Sequence, residues 1–186
     1  QRFHREMKLL SRLRHPNIEF VEVPYEGTTL PALFMKAPGD GPKPTVVVLN
    51  GDSPLIRPET LATLVDERGD APMAMTTHEA VDHGAFGRVE RDSAGRAIRI
   101  VEQKDGDGGH AERNAGQYAF EAAWLWEHLP AVSASSSGEI YLTALCGLAY
   151  EEGKAAVSVD VHPEDVLGVD HRSALAEAER IMRGRV

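Results

Sequence analysis

Two aspartates of this chain stand where a metal-binding carboxylate is expected. Asp52 follows the apolar run 45–49, and Asp170 stands in a turn between a strand region and a predicted helix. The carboxyl ends of strands in open α/β sheets commonly carry metal-binding and ligand-binding groups. If the two carboxylates converge, their oxygens can hold Mg²⁺ together with waters and substrate phosphates.

Capping of the following helix is the competing explanation for each aspartate, and for either one taken alone it is the more frequent one. The sequence separation does not show whether the two side chains meet. Two other metal patterns fail on spacing. His78 and His83 are five residues apart, which puts them on different faces of a helix. The acidic loop 105–109 has Gly116 where a calcium loop needs a glutamate.

The elements that must position these residues begin with a predicted helix and three predicted strands. Apolar residues recur at helical spacing up to His15-Pro16, where the pattern ends. The runs 18–25 and 30–36 predict a hairpin. The third run, 45–49, is β-branched on both faces, which is typical of a buried central strand.

Strands alternate with helices in the rest of the chain. We expect strands at residues 72–77, 87–91, 97–103, 115–120 and 155–161, and helices at residues 57–68, 121–129, 138–152 and 171–183. The second and third of these strands form a hairpin across Ser93-Ala94-Gly95. The alternation predicts a three-layer α/β domain, and the hairpins make its central sheet a mixed one.

Composition and motif content exclude several classes of function. The net charge of −9 argues against a general binder of nucleic acids or membrane surfaces, which need clustered Lys and Arg. No apolar run approaches the length of a membrane span, and the single Cys146 cannot form an internal disulfide. These features predict a cytoplasmic protein. The chain also lacks a Gly-x-Ser-x-Gly elbow and a P-loop, the central motifs of two large enzyme classes.

Five motifs follow one another from Gly51 to the end of the chain. They are GDSPLIRPETL at 51–61, FGRVERDSAGRAIRIVEQKD at 86–105, NAGQYAF at 114–120, GEIYLTAL at 138–145 and VLGVDHRSALAEAERI at 166–181. This series resembles the nucleotidyltransferase domain of the bacterial bifunctional N-acetylglucosamine-1-phosphate uridyltransferases, in the order that the family has. The resemblance implies a nucleotide-diphospho-sugar transferase-like fold.

The resemblance also implies a reaction. UTP and N-acetylglucosamine 1-phosphate are joined with Mg²⁺ as cofactor, which yields pyrophosphate and UDP-N-acetylglucosamine, a precursor for the cell wall. Asp52 and Asp170 match the two catalytic metal-ligand positions, although the family usually has asparagine at the second. The substrate-binding positions that the resemblance implies are Asn50, Gly51, Gly87, Glu102 and Asn114. Among these, Glu102 and Asn114 offer oxygen and amide groups to the sugar hydroxyls and the N-acetyl group.

The N-terminal part of the chain departs from this family. Residues 1–49 contain no Leu-Ala-Ala-Gly-x-Gly-Thr-Arg-Met loop, which grips the triphosphate in family members. Residues 20–51 resemble the early strands of α/β-hydrolase esterases instead, with no nucleophile, acid or catalytic histidine after them. The sequence therefore predicts two segments, 1–50 and 51–186, and a transferase domain that is incomplete at its N-terminal side, either truncated or chimeric.

Three functional hypotheses follow from these observations. The first is a nucleotidyltransferase, for which self-association or a partner chain would complete the domain. The second is a non-catalytic relic that binds a sugar nucleotide, and the third, ranked last, is an esterase. Small-molecule substrates are expected in the first case, and neither nucleic acid nor membrane is an expected partner.

Overall fold

A computed structural model describes residues 18–25, 28–35, 45–80, 86–102, 111–133, 140–169 and 171–185, the first two ranges as backbone. The strands within these ranges are β1 (Ile18–Tyr25), β2 (Thr28–Met35), β3 (Thr45–Val48), β4 (Met73–Ala80), β5 (Arg88–Arg91), β6 (Ala97–Val101), β7 (Ala111–Glu121) and β8 (Val157–Asp160). The helices are α1 (Pro58–Arg68), α2 (Ala122–His128), α3 (Ala144–Glu151) and α4 (Arg172–Gly184), with short 3₁₀ helices at Leu129–Ala131 and Pro163–Val166. The helix predicted before His15 lies outside the described residues.

The strands form one mixed sheet. Six of them follow the order β1-β2-β3-β7-β4-β8. β7 lies between β3 and β4 and is antiparallel to both, whereas β8 is parallel to β4. β5 and β6 form the predicted hairpin, which joins β7 through the pair Arg88 and Arg113. The hairpin of β1 and β2 is confirmed as well.

Apolar cores cover both faces of this sheet. One core contains Val46 and Val48 of β3 together with residues of α2, α3 and the β5–β6 hairpin. The other contains Val47 of β3 and Leu64 of α1. All four residues of β3 are buried, because the strand has a covered face on each side. The predicted three-layer α/β architecture is therefore confirmed.

The ends of several elements differ from the predicted ones. β4 and β7 both run further than 72–77 and 115–120, since they stay paired as far as Ala80 and Ala111. These extra residues are mostly polar, so the periodicity of the sequence did not include them. α3 begins at Ala144, later than the predicted 138. None of the helices in the described part of the chain combines the length and the apolarity that crossing a membrane requires.

An irregularity in the pairing of β4 with β7 shapes the middle of the sheet. Met75 pairs with Tyr118 and Thr77 pairs with Asn114, so Thr76 alone faces the β7 residues between them. Thr76 Oγ1 donates to Gln117 Oε1 (2.6 Å) and accepts a bond from Gln117 N (3.2 Å). These bonds satisfy polar groups that the bulge removes from the ladder.

Candidate active site

Asp52 lies in an exposed turn that follows β3. The bond from Ser53 N to Asn50 O (3.3 Å) closes this turn, and Val169 N donates to the carbonyl oxygen of Asp52 (2.7 Å). A β-carbon added to Gly168 would lie 3.8 Å from Asp52 Oδ2. The segment that leads to residue 170 therefore runs beside the Asp52 carboxylate, although Asp170 itself lies outside the described residues.

Residues other than the two aspartates occupy the N-cap positions of the helices that follow. The N-cap of α1 is Arg57, whose side chain makes no capping bond. The N-cap of α4 is His171, whose Nδ1 accepts a bond from Ala174 N (3.0 Å). The capping explanation is therefore wrong for Asp52, which lies five residues before the N-cap of α1.

A buried carboxylate fixes the 3₁₀ helix that precedes this segment. Asp165 is fully buried, and its Oδ2 accepts a bond from Thr60 Oγ1 of α1 (2.5 Å). Its Oδ1 lies 3.4 Å from Arg57 Nε and 3.5 Å from Arg185 Nη2. Arg185 also donates from Nη1 to Leu55 O (2.7 Å). The same ion-paired cluster thus holds the start of α1, the end of α4 and the approach to residue 170 together.

Asn50 connects the Asp52 turn to β7. Gly116 of β7 has a φ of +86°, and a β-carbon at this glycine would collide with the Asn50 carboxamide, whose Cγ would be 3.0 Å away. The Asn50 side chain therefore lies directly against the backbone of the bulge. Gly116 N in turn donates to Asn114 Oδ1 (3.2 Å). Only glycine combines this backbone conformation with this close contact.

The three predicted sugar-binding residues are neighbours. Asn114 N donates to Gly87 O (2.9 Å). A β-carbon on Gly87 would lie 2.7 Å from Ile100 Cγ2 and 3.5 Å from Glu102 Oε2. The other carboxylate oxygen, Glu102 Oε1, accepts a bond from Thr143 Oγ1 (2.5 Å). A line of contacts therefore runs from the Asp52 turn through Asn114 to Glu102.

Two residues bonded to this line were not predicted from the sequence. Thr143 is distant from Glu102 in the sequence, and the two meet only in the folded chain. No local sequence pattern therefore identifies Thr143. Tyr118 is buried, and its hydroxyl oxygen accepts a bond from Asn114 Nδ2 (2.6 Å). Burial raises the pKa of Tyr118 far above its usual value, and the phenol therefore stays protonated. The signal for Tyr118 was its even separation from Asn114 in one strand, which is typical of side chains on one face.

The donors at the Asp52 turn are compatible with Mg²⁺. The Asp52 carboxylate is exposed, and its Oδ1 lies 3.4 Å from Ser53 Oγ. Among the described residues, no three His, Cys, Asp or Glu side chains converge on one point. Mg²⁺ does not need such a cluster, because it keeps several waters and binds through one or two carboxylates plus substrate phosphates. Asp52 therefore suits one ligand position.

Comparisons with known proteins bear on the family and the fold. A family model described as Nucleotidyl transferase matches residues 3–166. The chain is 43% identical over 146 residues to "Bifunctional protein GlmU" of Anaeromyxobacter sp. (strain Fw109-5). This alignment covers 75% of this chain and 29% of that protein. The chain is 33% identical over 190 residues to the protein of the same name from Solibacter usitatus (strain Ellin6076), with coverage of 98% and 41%. The chain thus spans about a third of the length of these relatives.

A solved structure agrees on the fold. The CMP:2-keto-3-deoxy-manno-octonic acid synthetase complexed with CTP superposes with a TM-score of 0.54 at 18% identity, covering 76% of this chain and 63% of that chain. The family match begins at residue 3, so it includes most of the segment 1–50, and a division at residue 50 stays a prediction. The match covers most of the sequence, and the chain belongs to the nucleotidyl transferase family, with GlmU-like similarity to the N-terminal nucleotidyltransferase domain.

Proposed function

We propose that this protein is a Mg²⁺-dependent sugar-1-phosphate nucleotidyltransferase that joins UTP and N-acetylglucosamine 1-phosphate. The observation that carries the proposal is the continuous line of contacts from the Asp52 turn through Asn50, Gly116 and Asn114 to Glu102. One end of this line offers an exposed carboxylate for a metal, and the other offers amide and carboxylate groups for a sugar. A cytoplasmic reaction that supplies cell-wall precursors follows from the same proposal.

In this proposal the residues at each end of the line have separate tasks. Asp52 and Asp170 would hold Mg²⁺, which neutralises charge on the reacting phosphates. Asn50 and Gly51 would shape the phosphate side of the cleft. Gly87 has no side chain, which lets its backbone lie against Ile100 and beside Glu102, and its backbone would contact the sugar nucleotide there. Positioning and electrostatic stabilisation carry phosphoryl-transfer reactions of this kind, and no residue needs to form a covalent bond.

Release of pyrophosphate is the direct test of this activity. We expect wild-type protein at high concentration to release pyrophosphate from UTP and N-acetylglucosamine 1-phosphate only when Mg²⁺ is added. Glu102→Gln keeps the shape of the side chain but removes its charge, and it should raise the KM for the sugar phosphate more than it lowers kcat. Glu127→Gln on the exposed side of α2 is the matched control. No release above the buffer blank at any Mg²⁺ concentration would refute the proposed activity.

Binding without turnover is the second candidate function. The residues brought together here are the proposed sugar contacts, whereas residues 1–49 contain no Gly-rich triphosphate loop. A protein that keeps these sugar contacts would bind the product UDP-N-acetylglucosamine even if it catalysed the reaction slowly. Titration calorimetry with that product, repeated on Glu102→Ala, separates the candidates. Heat of binding that Glu102→Ala abolishes, with no pyrophosphate release, would favour the binding function.

A further inference from the structure

We propose that Tyr118 is a positioning residue that, together with the Gly116 backbone N–H, holds the Asn114 carboxamide in one orientation. This inference rests on the proposed function, because it concerns the sugar side of the same site. The sequence motifs imply neither a metal-binding nor a substrate-binding role for Tyr118. Its hydroxyl is nevertheless the partner of the Asn114 amide nitrogen, at 2.6 Å.

The orientation of the carboxamide follows from the backbone. Gly116 N–H can only donate, so the end of the Asn114 side chain that faces it at 3.2 Å must be the oxygen. The amide nitrogen then faces the Tyr118 hydroxyl. The two bonds use one lone pair of Oδ1 and one hydrogen of Nδ2. One further lone pair and one further hydrogen remain for a ligand.

The Tyr118 ring is rigidly held and can serve as a fixed reference for this amide. It is buried in the core between the sheet and α2 and α3, and its centroid lies 5.8 Å from that of Phe120 in a stacked arrangement. Core side chains are close-packed, so the phenol oxygen stays in place and the amide nitrogen keeps a fixed partner in the orientation that Gly116 N–H selects. The amide is therefore presented to a sugar in one of its two orientations, which decides whether its nitrogen or its oxygen meets the substituent of the sugar ring.

This arrangement has a consequence for selectivity. A site in which the donor and acceptor positions are fixed discriminates against ligands that leave a polar group unpaired. If the phenol were missing, the amide nitrogen would lose its partner, and the Gly116 bond alone would hold the carboxamide in place. The structure thus assigns Tyr118 an indirect role in choosing between an N-acetylated sugar and one that carries a hydroxyl at the same carbon.

The test compares Tyr118→Phe with Tyr150→Phe. The control removes a hydroxyl that donates to Asp92 Oδ2 (3.1 Å), a residue outside the proposed sugar contacts. Affinities for UDP-N-acetylglucosamine and UDP-glucose are measured by calorimetry for wild type and both variants. We expect the preference of the wild type for the N-acetylated ligand to fall about fivefold in Tyr118→Phe, as for the loss of one hydrogen bond, and to stay unchanged in Tyr150→Phe. An unchanged preference in Tyr118→Phe overturns the proposal.

A spectrum of the ligand-free protein tests the same inference independently. The side-chain NH₂ signals of Asn114, assigned from Asn114→Asp, should shift and exchange faster with solvent in Tyr118→Phe and not in Tyr150→Phe. If the wild type binds neither sugar nucleotide, the proposed function fails, while this spectrum still decides the positioning role. Unchanged Asn114 signals in Tyr118→Phe overturn that role, and shifted ones support it. Thermal melting of both variants checks that each is folded.

Discussion

The metal side and the sugar side of the candidate site differ in how they are attached to the protein. Gly51 and Asp52 are exposed, and a backbone bond from Val169 holds their turn. Gly87, Asn114 and Tyr118 are buried in the sheet and its core. A change at the metal side can therefore alter chemistry without altering stability, whereas a change at the sugar side alters both.

The largest expected effect is on turnover at the metal side. Asp52→Asn removes one negative charge from an exposed turn and should lower the rate of pyrophosphate release by about 100-fold or more. The free energy of unfolding should stay within about 0.5 kcal/mol of wild type, because surface substitutions away from buried features are usually that mild. Asp66→Asn, on the exposed side of α1, is the control and should change neither quantity. Loss of stability in Asp52→Asn would show that the turn is structural.

Removal of the buried carboxylate should give the largest loss of stability. Asp165→Ala leaves Thr60 without its acceptor and two arginines without their buried partner. We expect the free energy of unfolding in urea to fall by about 1.5–3 kcal/mol, the range for hydrogen bonds to charged groups. Glu164→Ala, which removes an exposed partner of the same arginines, should cost less. Equal costs for the two variants would contradict the role of burial.

Substitution of Gly116 tests the contact between the two sides. Gly116→Ala places a β-carbon at φ +86° and against the Asn50 carboxamide. The left-handed backbone alone should lower the free energy of unfolding by about 1–2 kcal/mol. Gly51→Ala meets no atom within 4 Å and should be nearly neutral. The double variant Gly116→Ala/Asn50→Ala should recover part of the loss, and no recovery would mean that Asn50 does not lie against the bulge.

The smallest expected effect is a pH dependence that arises at His128, outside the candidate site. Burial lowers the pKa of His128, but hydrogen bonds with the Trp124 carbonyl and the Glu152 carboxylate outweigh it and leave the pKa above its usual value. A raised pKa in the folded state means that this contribution to stability is complete below pH ~6.5 and is lost as the pH rises through the folded pKa. His128→Gln should therefore cost more stability at pH 6 than at pH 9. An equal cost at both values would contradict the charged pair.

Much of the architecture was accessible from the sequence, because local patterns encode it. The β-branched run of β3 predicted a strand covered on both faces, and Ser93-Ala94-Gly95 predicted the turn between β5 and β6. The insertion of β7 between β3 and β4 was not accessible, since pairing between distant segments has no local pattern. The bulge at Gly116 was not accessible either, because no feature of the sequence explains why residue 116 is a glycine.

The candidate site was accessible only as separate positions. The motifs predicted Asp52, Gly87, Glu102 and Asn114 as separate positions. In the structure Gly87 is hydrogen-bonded to Asn114 and lies beside Glu102. Thr143 meets Glu102 from a distant part of the sequence, whereas Tyr118 meets Asn114 within one strand, across the irregularity at Gly116. Asp165 is buried by packing that no periodicity describes. No sequence feature distinguishes these three residues, because the role of a polar side chain depends on the partner that it contacts in the fold.

Dependence of product binding on both sides of the site tests the central claim most directly. Affinity for UDP-N-acetylglucosamine should be measured by calorimetry with and without Mg²⁺ for wild type, Asp52→Asn and Asn114→Ala. We expect Mg²⁺ to strengthen binding to wild type and to Asn114→Ala but not to Asp52→Asn, and we expect Asn114→Ala to bind weakly in either case. Equal binding by the wild type and both variants, with and without Mg²⁺, would contradict a single site built from the Asp52 turn and Asn114.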